Sequence, residues 1–100
     1  MAEGLILEFD LIGREQYETV NSQLGIDPDT GAGDWPMGLV FHAGGAKPGG
    51  WVVFEIWESR EDQERFMNQR LGRALQGGGV TDAPTRVQWL TSGSHHSPGG

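Results

Sequence analysis

The sequence has 100 residues, a length that supports one compact domain and excludes a second core of similar size. Fourteen acidic residues against seven Lys and Arg give a net charge of −7, which opposes binding to nucleic acid and to anionic membrane surfaces. The chain contains no cysteine, which excludes disulfides, thiolate catalysis and Cys-rich zinc sites.

The first part of the chain changes from a strand pattern to a helix pattern. Apolar and other residues alternate over 4–11, which predicts a strand. Apolar residues then recur at Tyr17, Val20 and Leu24, the spacing of an amphipathic helix, and the helix is expected to end at Gly25. The next stretch, IDPDTGAGDWP, is dense in Asp, Gly and Pro, so we expect a loop without regular elements and a possible lid.

Two further strands are predicted at 37–43 and 51–58, where the apolar residues alternate again. The connecting stretch, GGAKPGG at 44–50, predicts a hairpin loop longer than the tight two-residue kind. Opposite residues of antiparallel strands point to the same side of the sheet. The apolar pattern therefore determines which residues of the two strands share a face. One uniformly apolar face then holds Met37, Leu39, Phe41, Val52, Phe54 and Ile56.

The other face of this hairpin mixes aromatic, aliphatic and titratable side chains. Its members are Val40, His42, Trp51, Val53, Glu55 and Trp57. Such a mixture is typical of a ligand pocket, and an ordinary, partly solvated sheet face is the alternative. If His42 pairs with Trp51, Glu55 lies four residues further along, about 13 Å away at roughly 3.3 Å per residue. We therefore expect His42 and Glu55 at two ends of one pocket, without a direct hydrogen bond.

The remaining elements complete a known arrangement. Ser59 predicts the N-cap of a second helix that runs to about Gln76, and 85–90 predict a fourth strand. The tail, 92–100, is expected to be disordered, so that 1–91 form the single domain. The order β-α-β-β-α-β predicts an α+β protein with a ferredoxin-like fold. Two helices cover one face of a four-stranded sheet only, so we expect a homodimer.

We expect neither export nor membrane insertion of this chain. Its N-terminus, MAEGLILEFDLIG, lacks the basic start and long apolar stretch of a signal peptide. No stretch approaches the roughly 18 consecutive apolar residues of a membrane span. We expect a cytoplasmic protein without membrane or nucleic-acid partners.

The step from the strand end EIWES into the helix REDQERFMNQRLGRAL, together with the element order, resembles the dimeric α+β barrel superfamily. Within it, the resemblance is to the antibiotic biosynthesis monooxygenase (ABM) domain group and covers 4–90. It implies a dimer whose two sheets form a barrel, with a pocket between helices and sheet. Activities in the superfamily include cofactor-independent oxygenation of aromatic polyketides, haem degradation, lactone isomerisation and polyketide cyclisation. The fold alone therefore leaves the reaction open.

Individual residues of this sequence can be compared with those of the haem-degrading branch. A tryptophan that matches Trp57 lines the haem cavity there, which implies that the Trp57 face is turned toward the pocket. The iron ligand of that branch is a histidine late in the second helix, whereas the matching stretch here, RLGRALQGG, contains none. His42, His95 and His96 also lack the spacing of a metal site. We expect neither a metal nor a cofactor.

These residues define the candidate site. An imidazole takes and gives protons near neutral pH, so His42 is the candidate general base or orienting group, and Glu55 the second acid–base group. The alternatives are a partly solvated histidine at a hairpin edge and a carboxylate bonded to a neighbouring side chain. The candidate pocket residues are Trp57, Trp51, Trp35, Tyr17, Val40 and Val53.

The resulting hypothesis is a small cofactor-independent monooxygenase-like enzyme. It would abstract a proton from a hydrophobic, aromatic or polyketide-type small molecule and yield a stabilised carbanion. Two alternatives stay open: a polyketide cyclase or isomerase, and a non-catalytic dimeric module that binds a small ligand.

Overall fold

A computed structural model describes residues 2–91, so the predicted disordered tail, with His95 and His96, lies outside the described residues. The elements in chain order are β1 (Glu3–Asp10), α1 (Arg14–Leu24), β2 (Ile26–Asp27), β3 (Ala32–Gly33), β4 (Leu39–Lys47), β5 (Gly50–Trp57), α2 (Arg60–Phe66), a π-helical turn (Met67–Leu71), α3 (Gly72–Gly77) and β6 (Arg86–Leu90). Over the described part of the chain, no helix is long and apolar enough to cross a membrane.

The four longer strands form one antiparallel sheet in the order β4-β5-β1-β6, which confirms the predicted ferredoxin-like α+β fold. The helices pack on the face that carries the inward side chains of β1 and β5. The buried core on this side consists of Leu5, Leu7, Phe9, Trp51, Val53 and Trp57 from the sheet, Val20, Leu24, Phe66 and Ala74 from the helices, and Val80 from the segment after α3. The catalytic candidates lie on the same face, because Glu55 pairs with Leu5 in the β1–β5 ladder.

The opposite face of the sheet is apolar and only partly covered. Its half-buried members are Ile6, Val52, Phe54 and Ile56. Phe41 and Leu90, on the two edge strands, are 41% and 42% exposed. These residues form one contiguous apolar patch, whereas the apolar residues on an ordinary protein surface are scattered singly.

The ends of the helices follow the local sequence signals. Gly25 adopts a left-handed conformation (φ 75°) and ends α1, donating its N–H to Asn21 O and Ser22 O. The Ser59 hydroxyl accepts a hydrogen bond from the Asp62 N–H at 3.2 Å, as the predicted N-cap requires.

The segment between α1 and β4 differs from the predicted structureless loop. Ile26 pairs with Gly33 and Asp27 with Ala32, so that β2 and β3 form a small antiparallel hairpin. The prediction was wrong because a two-residue strand leaves no periodic pattern among the Asp and Gly residues of such a segment.

The β4–β5 hairpin has a turn of only two residues, Pro48 and Gly49. Lys47 pairs directly with Gly50, and Gly49 has a positive φ of 76°. Proline followed by a positive-φ glycine is typical of the central positions of a type II turn. The predicted long loop at 44–50 was therefore wrong, because its first glycines continue the strand.

The shorter turn changes the register of the hairpin by four residues. His42 lies opposite Glu55, whereas Trp51 lies opposite Ala46. An even shift leaves every side chain on its predicted face but replaces its cross-strand partner. The predicted pairing of His42 with Trp51 was wrong for this reason.

A β-bulge at the start of β4 changes one part of the predicted faces. Leu39 pairs with Trp57 and Phe41 with Ile56, so Val40 is the extra residue between two ladder positions. Leu39 consequently lies on the helix side of the sheet, contrary to its predicted place beside Phe41. Met37 precedes the strand and is 82% exposed.

The second helix is interrupted where the sequence predicted one continuous element. Gly72 donates its N–H to Met67 O, five residues earlier, which is the hydrogen bond of a π-helical turn. The turn adds one residue between α2 and α3 and carries Arg70. Helical periodicity does not reveal such an insertion, because the apolar residues on both sides still recur every three or four positions.

Candidate active site

A cavity of about 70 Å³ lies between the sheet and the helices, under the segment that precedes β4. Its wall is almost entirely apolar. Most of the residues that the sequence proposed for the site line it: Tyr17, Trp35, His42, Trp51, Val53 and Glu55.

Two of the proposed pocket residues do not line this cavity. Trp57 is completely buried beneath it, and its indole N–H donates to Glu55 Oε1 at 3.1 Å. Val40 is displaced by the β-bulge, is 45% exposed and borders a separate surface depression beside Trp35. Trp57 therefore contacts the site through Glu55, and Val40 lies outside the cavity.

His42 and Glu55 are in direct contact, because the register places them opposite each other on the edge of the sheet. His42 Nδ1 lies 2.9 Å from Glu55 Oε2, and their side chains are only 9% and 8% exposed. The expected separation of about 13 Å was wrong. A buried pair of this kind interacts more strongly than it would in water, since the surrounding dielectric constant is low.

We assign the tautomer of the histidine from the partners of an ionised Glu55 carboxylate. An ionised carboxylate only accepts hydrogen bonds, so Oε1 accepts from Trp57 and Oε2 accepts from His42 Nδ1–H. His42 Nε2 then carries the lone pair. A histidine held by a carboxylate at Nδ1 is a typical general base at Nε2.

The Tyr17 hydroxyl contacts this basic nitrogen. Its oxygen lies 2.5 Å from His42 Nε2, and the two rings are stacked with 5° between their planes. Burial raises the pKa of Tyr17, and the nearby Asn21 side chain opposes the shift in part. Tyr17 is thus a neutral phenol near pH 7 and donates its O–H to Nε2. Tyr17, His42, Glu55 and Trp57 form one continuous chain of hydrogen bonds.

Gly44 makes this arrangement possible and was not among the residues proposed from the sequence. It lies on β4 two residues after His42, where an added Cβ would be 2.6 Å from Tyr17 Cζ. Only glycine leaves room for the ring. A glycine inside a strand often marks a close approach of this kind, but the signal was missed because Gly44 was placed in a loop.

The segment before β4 covers the site from above. The Trp35 ring lies 5.6 Å from the His42 ring, and its indole N–H donates to Gly31 O at 3.1 Å. Arg70, on the π-helical turn, donates to Leu24 O at 2.9 Å and to Asp34 O at 2.7 Å. Arg70 therefore ties this cover to the second helix, a role that its sequence position did not indicate.

A wider depression of about 590 Å³ lies beside the cavity, next to α3 and the segment that leads to β6. Five apolar residues line both spaces: Leu7, Phe9, Leu71, Leu75 and Val80. These shared side chains form the boundary between the two spaces.

Residues that could hold a metal ion are not clustered here. Among the residues that the structure describes, no three His, Asp or Glu side chains come close enough to form a metal-binding group.

Comparison with solved structures shows what this chain is similar to. A protein from Chloroflexus aurantiacus J-10-fl, assigned by name to the antibiotic biosynthesis monooxygenases, superposes with a TM-score of 0.65 at 14% identity, covering 97% of this chain and 98% of the other. A variant of SnoaB, a cofactor-independent oxygenase from Streptomyces nogalater, gives 0.59 at 12% identity, covering 99% and 98%. Rv0793 from Mycobacterium tuberculosis gives 0.60 at 17% identity, covering 97% and 100%.

These similarities cover 97–100% of each chain, so the chain has the fold of the ABM-like proteins. Identities of 12–17% carry the fold and leave the reaction open. The sequence matches no family model and no curated protein.

Proposed function

We propose that the chain is a small enzyme that removes a proton from a carbon atom of an apolar, aromatic or polyketide-type molecule. The carbanion then reacts with dioxygen without a resident cofactor. The observation that carries the proposal is the buried hydrogen bond between His42 Nδ1 and Glu55 Oε2 beside an apolar cavity. An activated base in an apolar pocket is the minimum that abstraction of a carbon-bound proton requires.

Each member of the hydrogen-bond chain has a role in this step. His42 Nε2 accepts the proton, and Glu55 stabilises the imidazolium that forms. The Trp57 indole holds the second carboxylate oxygen and so orients Glu55. Tyr17 already bonds Nε2 and lines the cavity, so its hydroxyl can take the substrate proton while passing its own to His42.

The oxygenation balances without any further reductant. A substrate with an acidic CH2 group loses one proton to the base, and the carbanion gives its electron pair to dioxygen as a new C–O bond. The resulting peroxide takes a proton from the imidazolium and then loses water, leaving a carbonyl group where the CH2 group was. SnoaB, one of the similar structures, is named as a cofactor-independent oxygenase, which supports this class of reaction.

The size of the cavity limits how the substrate is bound. About 70 Å³ accommodates a few waters or a single small ring, whereas drug-sized ligands typically occupy roughly 300–1,000 Å³. The neighbouring 590 Å³ depression supplies the missing volume. We therefore place the reacting ring next to His42 and the rest of a larger substrate in the depression, past Leu71 and Leu75.

The proposal includes a homodimer. The partly open apolar face of the sheet, with Phe41, Phe54 and Ile56 on it, fits a second copy of the same face. A second copy would remove from water the apolar face of the sheet that the two helices leave uncovered.

The proposal also includes a cytoplasmic location and a role in secondary metabolism. The acidic, cysteine-free composition fits a reducing compartment. The aromatic or polyketide-type substrate is of the kind that such metabolism provides.

Two carbon acids test the reaction. 2-Indanone has CH2 groups between a ring and a carbonyl, and NMR measures their exchange with D2O. Anthrone is larger and yields anthraquinone and water with dioxygen, which chromatography measures in air and under argon. We expect both reactions to be catalysed and to fall to background in His42→Ala.

The outcomes separate the alternative functions. Exchange or rearrangement that proceeds equally well under argon, with no oxygenated product, would indicate an isomerase or cyclase. Binding of both compounds without exchange or turnover would indicate a ligand-binding module.

A further inference from the structure

We infer that Asn21 and Trp51 bind an oxygen of the substrate, and that the ligands of this site are therefore carbonyl-bearing carbon acids. This inference rests on the proposed function for its mechanistic meaning, although the binding it describes is measurable without turnover. Its basis is a pair of buried N–H donors that find no hydrogen-bond partner among the described residues, 2–91.

Both donors are more than nine-tenths buried. Asn21 is 6% and Trp51 is 3% exposed. Among residues 2–91, Asn21 Nδ2 and Trp51 Nε1 are buried and have no acceptor at hydrogen-bonding distance and angle. Asn21 lies near enough to the Tyr17 oxygen to favour the ionised phenol, but the Tyr17 hydroxyl is already engaged with His42 Nε2. Buried polar groups are nearly always hydrogen-bonded, so two orphans in one small domain indicate a missing partner.

The two donors belong to the same cavity. Both residues line it, Asn21 from α1 and Trp51 from β5. The other buried indole, that of Trp57, donates to Glu55, and the Trp35 indole donates to Gly31 O. The unpartnered donors are thus confined to the place where a ligand would lie.

The position of the pair fits the proposed proton transfer. Asn21 follows Tyr17 by one turn of α1, and Trp51 precedes Glu55 by four residues on the same face of β5. The Tyr17 and Trp51 rings are 4.9 Å apart. The donors therefore lie on the same side of the sheet as the Tyr17–His42 contact.

The chemistry of the donors selects the ligand. Two N–H groups in an apolar wall bind acceptor oxygens and leave a hydrocarbon unrecognised. When the base removes a proton next to a carbonyl, negative charge moves to the carbonyl oxygen. N–H donors that line the cavity stabilise the enolate oxygen more than the ketone oxygen, because the enolate carries the larger negative charge. Asn21 and Trp51 thus stabilise the negative charge that develops on the oxygen, while His42 accepts the proton from the carbon.

NMR spectra of the wild-type protein test the inference directly. 2-Indanone is titrated against indane, which has the same ring system without the oxygen. The Trp51 indole and Asn21 amide resonances are assigned from their absence in Trp51→Phe and Asn21→Leu. We expect 2-indanone to move both N–H resonances downfield, as a new acceptor does, and indane to leave them in place.

Affinities of the variants provide the second measurement. Trp51→Phe and Asn21→Leu should each lower the affinity for 2-indanone about tenfold, the worth of one hydrogen bond, with little effect on indane. Trp89→Phe is the matched control, because Trp89 packs against Arg60 outside the cavity. It should leave both affinities unchanged.

Three results would overturn the inference: no binding of 2-indanone up to its solubility, equal responses to the ketone and to indane, or variants that lose both ligands equally. These failures differ from failure of the proposed function. If wild-type protein shows the shifts without His42-dependent exchange, the binding site is supported and the proposed enzymatic function is refuted. If exchange occurs without the shifts, the proposed enzymatic function is supported and the assignment of Asn21 and Trp51 as oxygen-binding residues is refuted.

Discussion

The ring of Tyr17 lies against the backbone of Gly44, so closely that a Cβ atom at position 44 would be 2.6 Å from Tyr17 Cζ. This contact sets the depth at which α1 packs on the edge of the sheet. It also holds the Tyr17 hydroxyl on His42 Nε2. A glycine on a strand thereby controls the position of the Tyr17 hydroxyl on a helix.

Gly44→Ala should displace Tyr17 and separate it from His42. We expect a loss of about 1–3 kcal/mol in the free energy of unfolding, typical of overpacking, together with slower turnover. Urea denaturation and the 2-indanone exchange assay measure the two effects. Gly45→Ala is the matched control, because nothing lies within 4 Å of its added Cβ. Equal behaviour of the two variants would contradict the steric role of Gly44.

Glu55→Gln should lower catalysis while leaving ligand binding nearly intact. The neutral amide cannot stabilise the imidazolium as a carboxylate does, so we expect a loss of about 10²–10⁴ in kcat. Steady-state kinetics and a binding isotherm separate the two quantities. Glu58→Gln changes an exposed carboxylate at the end of the same strand and should be silent. A Glu55→Gln variant with wild-type kcat would remove Glu55 from the mechanism.

Tyr17 is the only tyrosine of the chain, so tyrosinate absorbance reports it alone. Burial raises its pKa above the ordinary value of 10.0. Below pH 10 this shift stabilises the fold fully, and the stabilisation is lost as pH rises toward the folded-state pKa, because the unfolded chain ionises first. An ultraviolet titration should give a midpoint above 10 in the folded protein and an ordinary one in urea. Identical midpoints would show that Tyr17 is solvated.

Arg70→Met should loosen the cover over the site. The variant loses the hydrogen bonds to Leu24 O and Asp34 O, and hydrogen bonds from a charged group contribute about 1.5–3 kcal/mol where they are shielded from water. We expect faster limited proteolysis between residues 25 and 38, located by mass spectrometry. Arg73→Met removes a charge from an exposed position of α3 and serves as the control. Unchanged cleavage would mean that the cover is held by packing alone.

Phe54→Lys should convert the proposed dimer into monomers. A charge in the middle of the open sheet face cannot be buried without a partner. Analytical ultracentrifugation should give twice the chain mass of 10.9 kDa for wild type and the single mass for the variant. Val87→Lys is the control, since Val87 is exposed on the opposite face at the edge of the sheet. A monomeric wild-type protein would refute the dimer.

Local patterns in the sequence determined the types of the longer elements and the faces of their residues, except at the β-bulge that moves Leu39. Alternation identified β1 and β5, helical spacing identified α1, and Gly25 and Ser59 marked helix ends. Parity placed His42 and Glu55 on one face, because that assignment depends only on whether a residue is at an odd or an even position along its strand.

Only the tertiary structure decided which of these residues touch. GGAKPGG is compatible with a long loop or with a two-residue turn, and the choice moves the partner of His42 from Trp51 to Glu55 without changing any face. The π-helical turn that carries Arg70 and the burial of the unpartnered amide of Asn21 leave no periodic signal either. Register, close approach and burial arise from contacts between segments that are distant in the chain, and a pattern read along one segment contains no information about them.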